Sequence, residues 1–172
     1  MTPPLPQPAA TYRNLPHLAS RAMQSTMRSF ANPGSRSVPN LSLETYLKRI
    51  CQICARQGDR PIPAAKLADA VRVPIATCTN VLLALKEAGL AAYQPYEGVM
   101  LTESGRVLAL RALRRQRLVE QFLARTLNLG DDEVRCEAEQ IEPAFSDALV
   151  ERIDEFLGFP PTCPHGDPIP RA

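Results

Sequence analysis

Residues 64–101 constrain the fold more than any other stretch, because they suggest two short helices, a tight turn and a β-hairpin. Apolar residues at helical spacing predict helices over 64–71 and 75–88. Pro74 suits the start of the second helix, where a missing N–H costs nothing. Residues 95–98 form a turn ending in glycine between two short apolar runs, which predicts a hairpin. The pattern is typical of a winged helix-turn-helix, and a plain helical hairpin is the alternative interpretation.

The start of the second helix carries small side chains that suit contacts with DNA. In a winged helix this end enters the major groove and meets base edges and phosphates. The candidate contact residues are Pro74, Ala76, Thr77, Thr79, Asn80 and Tyr96. Of these, Thr77, Thr79 and Asn80 are the predicted base readers. Tyr96 at the hairpin tip is explained equally well as a phosphate contact or as an exposed aromatic residue.

Composition sets limits on the function without choosing one. The net charge of +2 over 172 residues permits nucleic-acid binding but does not argue for it. No apolar run has the length of a membrane span, and no catalytic constellation or phosphate-binding glycine loop is recognisable. The five irregularly spaced cysteines fit reduced thiols in a cytoplasm. Because no catalytic constellation is recognisable, the chain is not expected to be an enzyme.

Individual cysteines and histidines give weak signals of a site. Cys51 and Cys54 form a CxxC on one helix face, and core packing is favoured over a metal site. A redox-sensing role for these two or for Cys136 is an alternative. His17 and His165 are too far apart in the sequence to suggest a shared site.

Residues 1–40 contain many prolines and arginines, and the first acidic residue of the chain is Glu44. Such a segment cannot bury enough apolar surface to fold alone, so a disordered tail with weak phosphate affinity is predicted. Two alternatives remain open. Translation could start at Met23 or Met27, or the segment could be an organelle transit peptide.

The remaining helices follow from their caps and periodicity. A helix capped by Asn40 or Ser42 is predicted to reach Arg56, and a long one starts at Thr102 and ends near Leu127. Asp131 is the expected cap of a third helix, which continues through Glu139 and Ile141, and a last helix capped by Ser146 is predicted to run to about Leu157. The expected domains are a tail at 1–40, a winged helix at 41–106 and a helical dimerisation domain at 107–172. Pro143 should kink the third helix.

Several motifs together carry a family resemblance. They are Leu101-Thr102-Glu103-Ser104-Gly105-Arg106, Arg117-Leu118-Val119-Glu120-Gln121-Phe122-Leu123, Glu139-Gln140-Ile141-Glu142, and Cys163-Pro164-His165-Gly166-Asp167-Pro168-Ile169-Pro170. On these motifs the chain resembles the metal-dependent repressors of the diphtheria-toxin-repressor and manganese-transport-regulator family. The resemblance implies a mainly α fold, a homodimer on a double-stranded operator, Mn²⁺ or Fe²⁺ as cofactor and repression of metal-homeostasis genes. The SH3-like domain of longer members is expected to be absent.

The resemblance also identifies ligand positions, and several of them are substituted. The matching positions are Glu139 and Glu142, with Glu120 and Gln116 at an ancillary site where Gln116 replaces a histidine. Thr45 and Lys48 stand at ligand positions of the first helix, and Arg135 and Pro143 at histidine positions. Carboxylates with an amide could hold a hard cation such as Mn²⁺.

The substitutions also suggest a different hypothesis, in which Lys48 and Arg135 are fixed cations that replace the metal among the three glutamates. The competing functional interpretations are a metal-independent or redox-responsive regulator, and an interaction module that has lost DNA binding. The arginines of the long helix are expected on a solvated face that could also attract DNA.

Overall fold

The computed structural model describes residues 42–58 and 60–171, so the predictions for the tail and for His17 lie outside the described residues. The fold is mainly α with one hairpin, as predicted. In chain order the elements are α1 (Leu43–Gln57), α2 (Ala64–Val71), α3 (Ile75–Glu87), β1 (Ala91–Gln94), β2 (Gly98–Leu101), α4 (Glu103–Leu127), α5 (Asp131–Ile141), a 3₁₀ turn (Glu142–Ala144) and α6 (Asp147–Leu157).

The first three helices and the hairpin enclose one apolar core. Its fully buried side chains include Tyr46, Leu47, Ile50, Leu67, Leu82 and Leu85. The antiparallel hairpin is extended by Ile62, whose N–H donates to the Val99 carbonyl at 2.9 Å and whose carbonyl accepts from Val99 at 2.9 Å. Gly98 has φ +111°, and a Cβ there would approach the Ile62 carbonyl oxygen to 2.5 Å. The glycine therefore permits both the turn and this close pairing.

A compact junction joins the hairpin to α4. The Thr102 hydroxyl accepts from the N–H of Gly105 at 3.2 Å, which confirms Thr102 as the N-cap. The same hydroxyl donates to the Gly89 carbonyl at 2.7 Å. A Cβ on Gly105 would lie 1.9 Å from the Leu90 carbonyl oxygen. Only a glycine lets the first turn of α4 pack this closely on the backbone between α3 and β1.

The second half of the chain packs around the C-terminal part of α4. Leu118 lies with Val150, Ile153 and Leu157 of α6 in one cluster, which also includes Ile169. Other α4 residues pack against α5 in a second cluster. Since α4 also supplies Ala109 to the first core, this single 25-residue helix connects both halves.

Helix ends agree with the predictions, with one correction. Ser146 caps α6 as expected, and Glu142–Ala144 form a 3₁₀ turn after Ile141, so Pro143 does interrupt the helix. Asp131 was expected to cap α5, but the N-cap is Gly130, whose N–H donates to the Glu133 carboxylate at 3.1 Å. The side chain three residues into the helix replaces the missing cap.

No single helix within 42–58 and 60–171 has both the length and the apolar composition needed to cross a membrane. Helices α2 and α3 meet such a criterion only when they are counted together across a 108° bend.

Candidate nucleic-acid interface and interdomain ion pairs

Helix α3 exposes the face that the sequence predicted for DNA. Pro74, Ala76 and Asn80 are exposed, whereas Thr77 and Thr79 are half-buried. Thr79 donates its hydroxyl proton to the carbonyl of Ile75 at 2.9 Å, so its oxygen can only accept a hydrogen bond from a ligand. Of the three predicted base readers, Asn80 is therefore the most available.

One apolar residue of this face was not predicted. Ile75 is 55% exposed at the first turn of α3, although a residue of this type normally packs inward. The Ile75 carbonyl accepts from the Thr79 hydroxyl, which fixes that turn, and Cys78 on the opposite side is fully buried. An exposed isoleucine at the tip of such a helix suits contact with a thymine methyl group. The sequence signal was the unbroken run of apolar and small residues after Pro74.

The hairpin and the turn before α3 flank this face. Tyr96 is fully exposed at the hairpin tip with φ 69°, a backbone conformation that a tyrosine rarely adopts. Arg72, also at positive φ, is exposed in the turn between α2 and α3, and Lys86 is exposed on α3. These cations lie on the elements that would approach phosphates.

A group of charges around the buried Glu142, here called the Glu142 cluster, links three separate elements. It comprises Lys48 and Glu44 of α1, Arg115 of α4 and Glu142. The Lys48 ammonium donates to Glu142 Oε2 at 2.5 Å, and Arg115 Nε approaches Glu142 Oε1 at 3.4 Å. Arg115 also donates to Glu44 at 2.6 Å. Glu142 is 1% exposed, and each of its carboxylate oxygens contacts a protein cation in place of bulk water.

The other two glutamates do not join that cluster. Glu139 is exposed on α5 and approaches Arg49 at 3.6 Å. Arg135 was expected among the glutamates, but it is exposed and makes no ion pair with the described residues. The reason is helical phase, because Val134 and Ala138 occupy the inward face of α5. The second cation at Glu142 is Arg115, which the sequence reasoning did not single out.

A separate group, the Glu120 cluster, contains Glu120 and Gln116 of α4 with Cys163 and His165. Gln116 donates its amide to Glu120 at 2.9 Å, and His165 Nδ1 lies 3.6 Å from the other oxygen of Glu120. Cys163 Sγ is 3.9 Å from the same histidine nitrogen. The carboxylate, thiol and imidazole atoms all lie within 4.8 Å of one another. The sequence reasoning considered His165 only together with His17, and it did not single out this grouping with Glu120 and Cys163.

The donor set of the Glu120 cluster fits a divalent transition metal. One sulfur, one nitrogen and one carboxylate oxygen suit borderline ions such as Fe²⁺ or Zn²⁺ better than hard ions. Burial raises the pKa of the Cys163 thiol, against hydrogen bonds from the backbone of His165 and Asp167. The signal in the sequence was the Cys-x-His spacing, because a tight turn at this spacing brings the thiol and the imidazole close together.

Three thiols outside the Glu120 cluster, those of Cys51, Cys54 and Cys136, have contacts that a structural role explains. Cys51 and Cys54 are half-buried and pack against the first core, as predicted. Burial raises the pKa of Cys51, although Arg106 and Arg117 act in the opposite direction. Cys136 is exposed and accepts a hydrogen bond from the Gln140 amide at 3.5 Å.

The arginines of α4 are less solvated than expected. Arg114 binds Glu151 through both of its terminal nitrogens, at 2.6 and 2.9 Å, and also reaches the buried Asp154 at 2.8 Å. Arg111 donates to Asp147. These pairs attach α6 to α4 and neutralise much of the positive face that was expected to attract DNA.

Comparisons with known proteins agree with this architecture. A family model described as iron dependent repressor, metal binding and dimerisation domain matches residues 102–171. The chain is 33% identical over 116 residues to an uncharacterised HTH-type transcriptional regulator of Methanocaldococcus jannaschii, covering 67% of the chain and 92% of that protein.

Two further relatives, whose names state a metal-dependent function, are longer than this chain. Over 127 residues the chain is 31% identical to the iron-dependent repressor IdeR of Mycobacterium tuberculosis, covering 74% of the chain and 54% of the repressor. A solved manganese-dependent transcriptional repressor in complex with manganese is 41% identical with a TM-score of 0.69, over 76% of this chain and 59% of that one. The chain therefore spans somewhat more than half the length of these two relatives.

Proposed function

The chain belongs to the family of iron- and manganese-dependent transcriptional repressors, and we propose that it is a homodimeric repressor that binds operators of metal-homeostasis genes. The observation that carries the proposal is the exposed N-terminal face of α3, which is held by a fully buried core and flanked by the hairpin. A helix presented in this way can enter the major groove.

We assign base contacts to Asn80, Thr77 and Thr79, and apolar contact to Ile75. Pro74 and Ala76 would pass close to the DNA backbone, and Tyr96 would approach a phosphate of the adjacent groove. An asparagine amide offers one donor and one acceptor, which matches the major-groove edge of adenine. Arg72 and Lys86 would supply phosphate contacts that give affinity without sequence preference.

The proposed dimer forms through residues 107–172, and residues 41–106 act as the DNA-binding unit. The proposed contact face is a groove between α4 and α5, whose lining combines Leu123, Leu127 and Ile141 with the acidic residues Asp132, Glu133 and Glu137. A two-fold axis would place two α3 helices on a palindromic operator. The family model described as a metal binding and dimerisation domain matches residues 102–171, which include nearly all of this range.

Metal binding is proposed at the Glu120 cluster and not at Glu139 and Glu142. When bound there, Fe²⁺, Zn²⁺ or a similar borderline ion would join α4 to residues 163–165, with Glu120, Cys163 and His165 as ligands and Gln116 orienting the carboxylate. The pair Glu139 and Glu142 is degenerate as a metal site, because the Lys48 ammonium lies against Glu142 and Glu139 faces solvent.

The metal assignment is tested by isothermal titration of Fe²⁺, Mn²⁺ and Zn²⁺ under anaerobic conditions. We expect one site per chain that is lost in Cys163→Ser and in Glu120→Gln but kept in Glu139→Gln. Loss of binding in Glu139→Gln alone would transfer the metal site to α5 and overturn the assignment.

The operator function is tested by selecting bound genomic fragments with the purified chain, followed by footprinting with and without added manganese. A protected palindrome upstream of a metal-uptake gene supports the proposal. An interaction module without DNA binding would enrich no fragment at low salt. That result would leave the fold unchanged and reject the repressor role.

A further inference from the structure

We propose that Lys48 and Arg115 are permanent internal cations that neutralise Glu142, so that α1 is held against α4 and the turn after α5 without a metal ion there. The proposal rests on the proposed function only where it concerns DNA affinity. It concerns the Glu142 cluster, which is distinct from the Glu120 cluster in its residues and its chemistry.

Burial makes cations at this position necessary. Glu142 is 1% exposed and Lys48 is 8% exposed, so neither charge is solvated by bulk water. An unpaired carboxylate in such a place is strongly unfavourable, and a hydrogen-bonded ammonium offsets much of that penalty. The 2.5 Å contact between Lys48 Nζ and Glu142 Oε2 provides this pairing.

Charge balance argues against a divalent ion at the same carboxylate. Two cationic and two anionic side chains make the Glu142 cluster neutral, since Arg115 pairs with both Glu142 and Glu44. A metal ion would add two positive charges beside an ammonium and a guanidinium, and each oxygen of Glu142 already faces one of these cations. The residues present do not fit a metal.

The cluster also connects elements that are far apart in the chain. Lys48 and Glu44 project from the helix that supports the first core, Arg115 from the helix that spans both cores, and Glu142 from the turn after α5. The Lys48–Glu142 contact joins residues 94 positions apart in the chain. The arrangement of α3 relative to the second half is therefore fixed by the protein's own side chains.

The test reverses the charge at one position. In a Cys163→Ser background, which removes the thiol of the Glu120 cluster, Lys48→Glu and Lys48→Met are compared with the parent in chelator and in 0.1 mM Mn²⁺. The readouts are the melting temperature, Mn²⁺ binding by calorimetry and the affinity for a selected operator. Lys66→Met serves as the matched control, because Lys66 is exposed and bonds only a glutamine among the described residues.

The parent should have the same melting temperature and operator affinity in chelator and in Mn²⁺. Lys48→Met should lower the melting temperature by about 5 °C or more in both conditions, since Glu142 loses its ammonium. Lys48→Glu should bind Mn²⁺ and recover at least half of its lost thermal stability and operator affinity, because two facing carboxylates now need a cation. Lys66→Met should behave like the parent.

A parent whose operator affinity rises more than tenfold with Mn²⁺, or a Lys48→Met variant as stable as the parent, would overturn the inference. If Lys48→Glu does not fold in either condition, the parent and Lys48→Met decide the question. A chain that binds no DNA fragment rejects the proposed function, and the melting and calorimetric results still judge the role of Lys48.

Discussion

At Gly105, only a hydrogen atom fits between the start of α4 and the backbone of Leu90. A methyl group at this position would lie 1.9 Å from the Leu90 carbonyl oxygen, which is backbone and cannot swing away. We predict that Gly105→Ala lowers the free energy of unfolding by about 3 kcal/mol or more, as overpacking against fixed atoms does. Urea denaturation followed by circular dichroism measures the change.

The matched control for that prediction is Gly130→Ala, because Gly130 has φ −70° and its nearest neighbour is a flexible carboxylate at 3.6 Å. Its cost should stay below about 1 kcal/mol. Equal costs for the two substitutions would contradict the packing explanation.

Two buried acidic protons in the first core predict alkaline destabilisation. Burial raises the pKa of Cys78 to about 11 from an ordinary 9.0, and raises that of Tyr46 to about 12 from 10.0. The folded state thus keeps protons that the unfolded chain releases. The corresponding stability is complete below pH 9 and is lost as the pH rises through 11 to 12.

Cys78→Ala tests this prediction. The variant should be less stable at pH 8 because of the cavity, but its stability should decline less steeply between pH 9 and 11 than that of the native chain. The measurement is urea unfolding at a series of pH values. Parallel declines in the two proteins would show that Cys78 does not contribute to the pH dependence.

Local residue roles could be predicted from the sequence, whereas long-range partners could not. The caps Thr102 and Ser146 bond to backbone groups three residues away, so a short motif contains all the information. The partner of Lys48 is 94 residues distant, and the prediction of Glu142 came through family resemblance. His165 was missed because its relation to Glu120 depends on how the segment after α6 folds back.

At the scale of elements, α3 is the helix whose exposed face the function needs. We predict that Asn80→Ala weakens binding to the selected operator by about 1–3 kcal/mol, or roughly 5- to 150-fold, while binding to unrelated DNA changes little. Fluorescence anisotropy with both duplexes measures the two affinities. Gln140→Ala, an exposed amide on α5, is the control and should change neither.

If Asn80→Ala weakened binding to the operator and to the unrelated duplex equally, Asn80 would be a phosphate contact and not a base reader. The helix itself would remain the candidate interface. The assignment of sequence specificity would then move to Thr77 or Ile75.

Helix positions were predictable because the apolar period and the turn residues agree along the chain. The sequence did not predict which side of each helix contacts charged side chains from other elements. The arginine face of α4 has the pattern of a solvated surface, yet α6 brings Glu151 and Asp154 against Arg114. Arg135 shows the opposite error, because α5 turns that side chain toward solvent.

At the scale of the whole molecule, α4 is the connection that gives the two halves one geometry. It contributes to the first core through Ala109 and to the second through Leu118, and Arg115 joins both through the Glu142 cluster. A repressor of this construction would transmit dimerisation to the spacing of two α3 helices. The net charge of +2 is small, so DNA affinity must come from local contacts more than from the overall field.

The most direct test of this account measures the affinity of the purified chain for its selected operator at several salt concentrations, by anisotropy in chelator. We predict two chains per operator and a Kd that rises steeply with salt, as release of several counterions requires. The operator should also be bound at least a thousandfold more tightly than an unrelated duplex. A single chain per site, or equal affinity for both duplexes, would contradict the account.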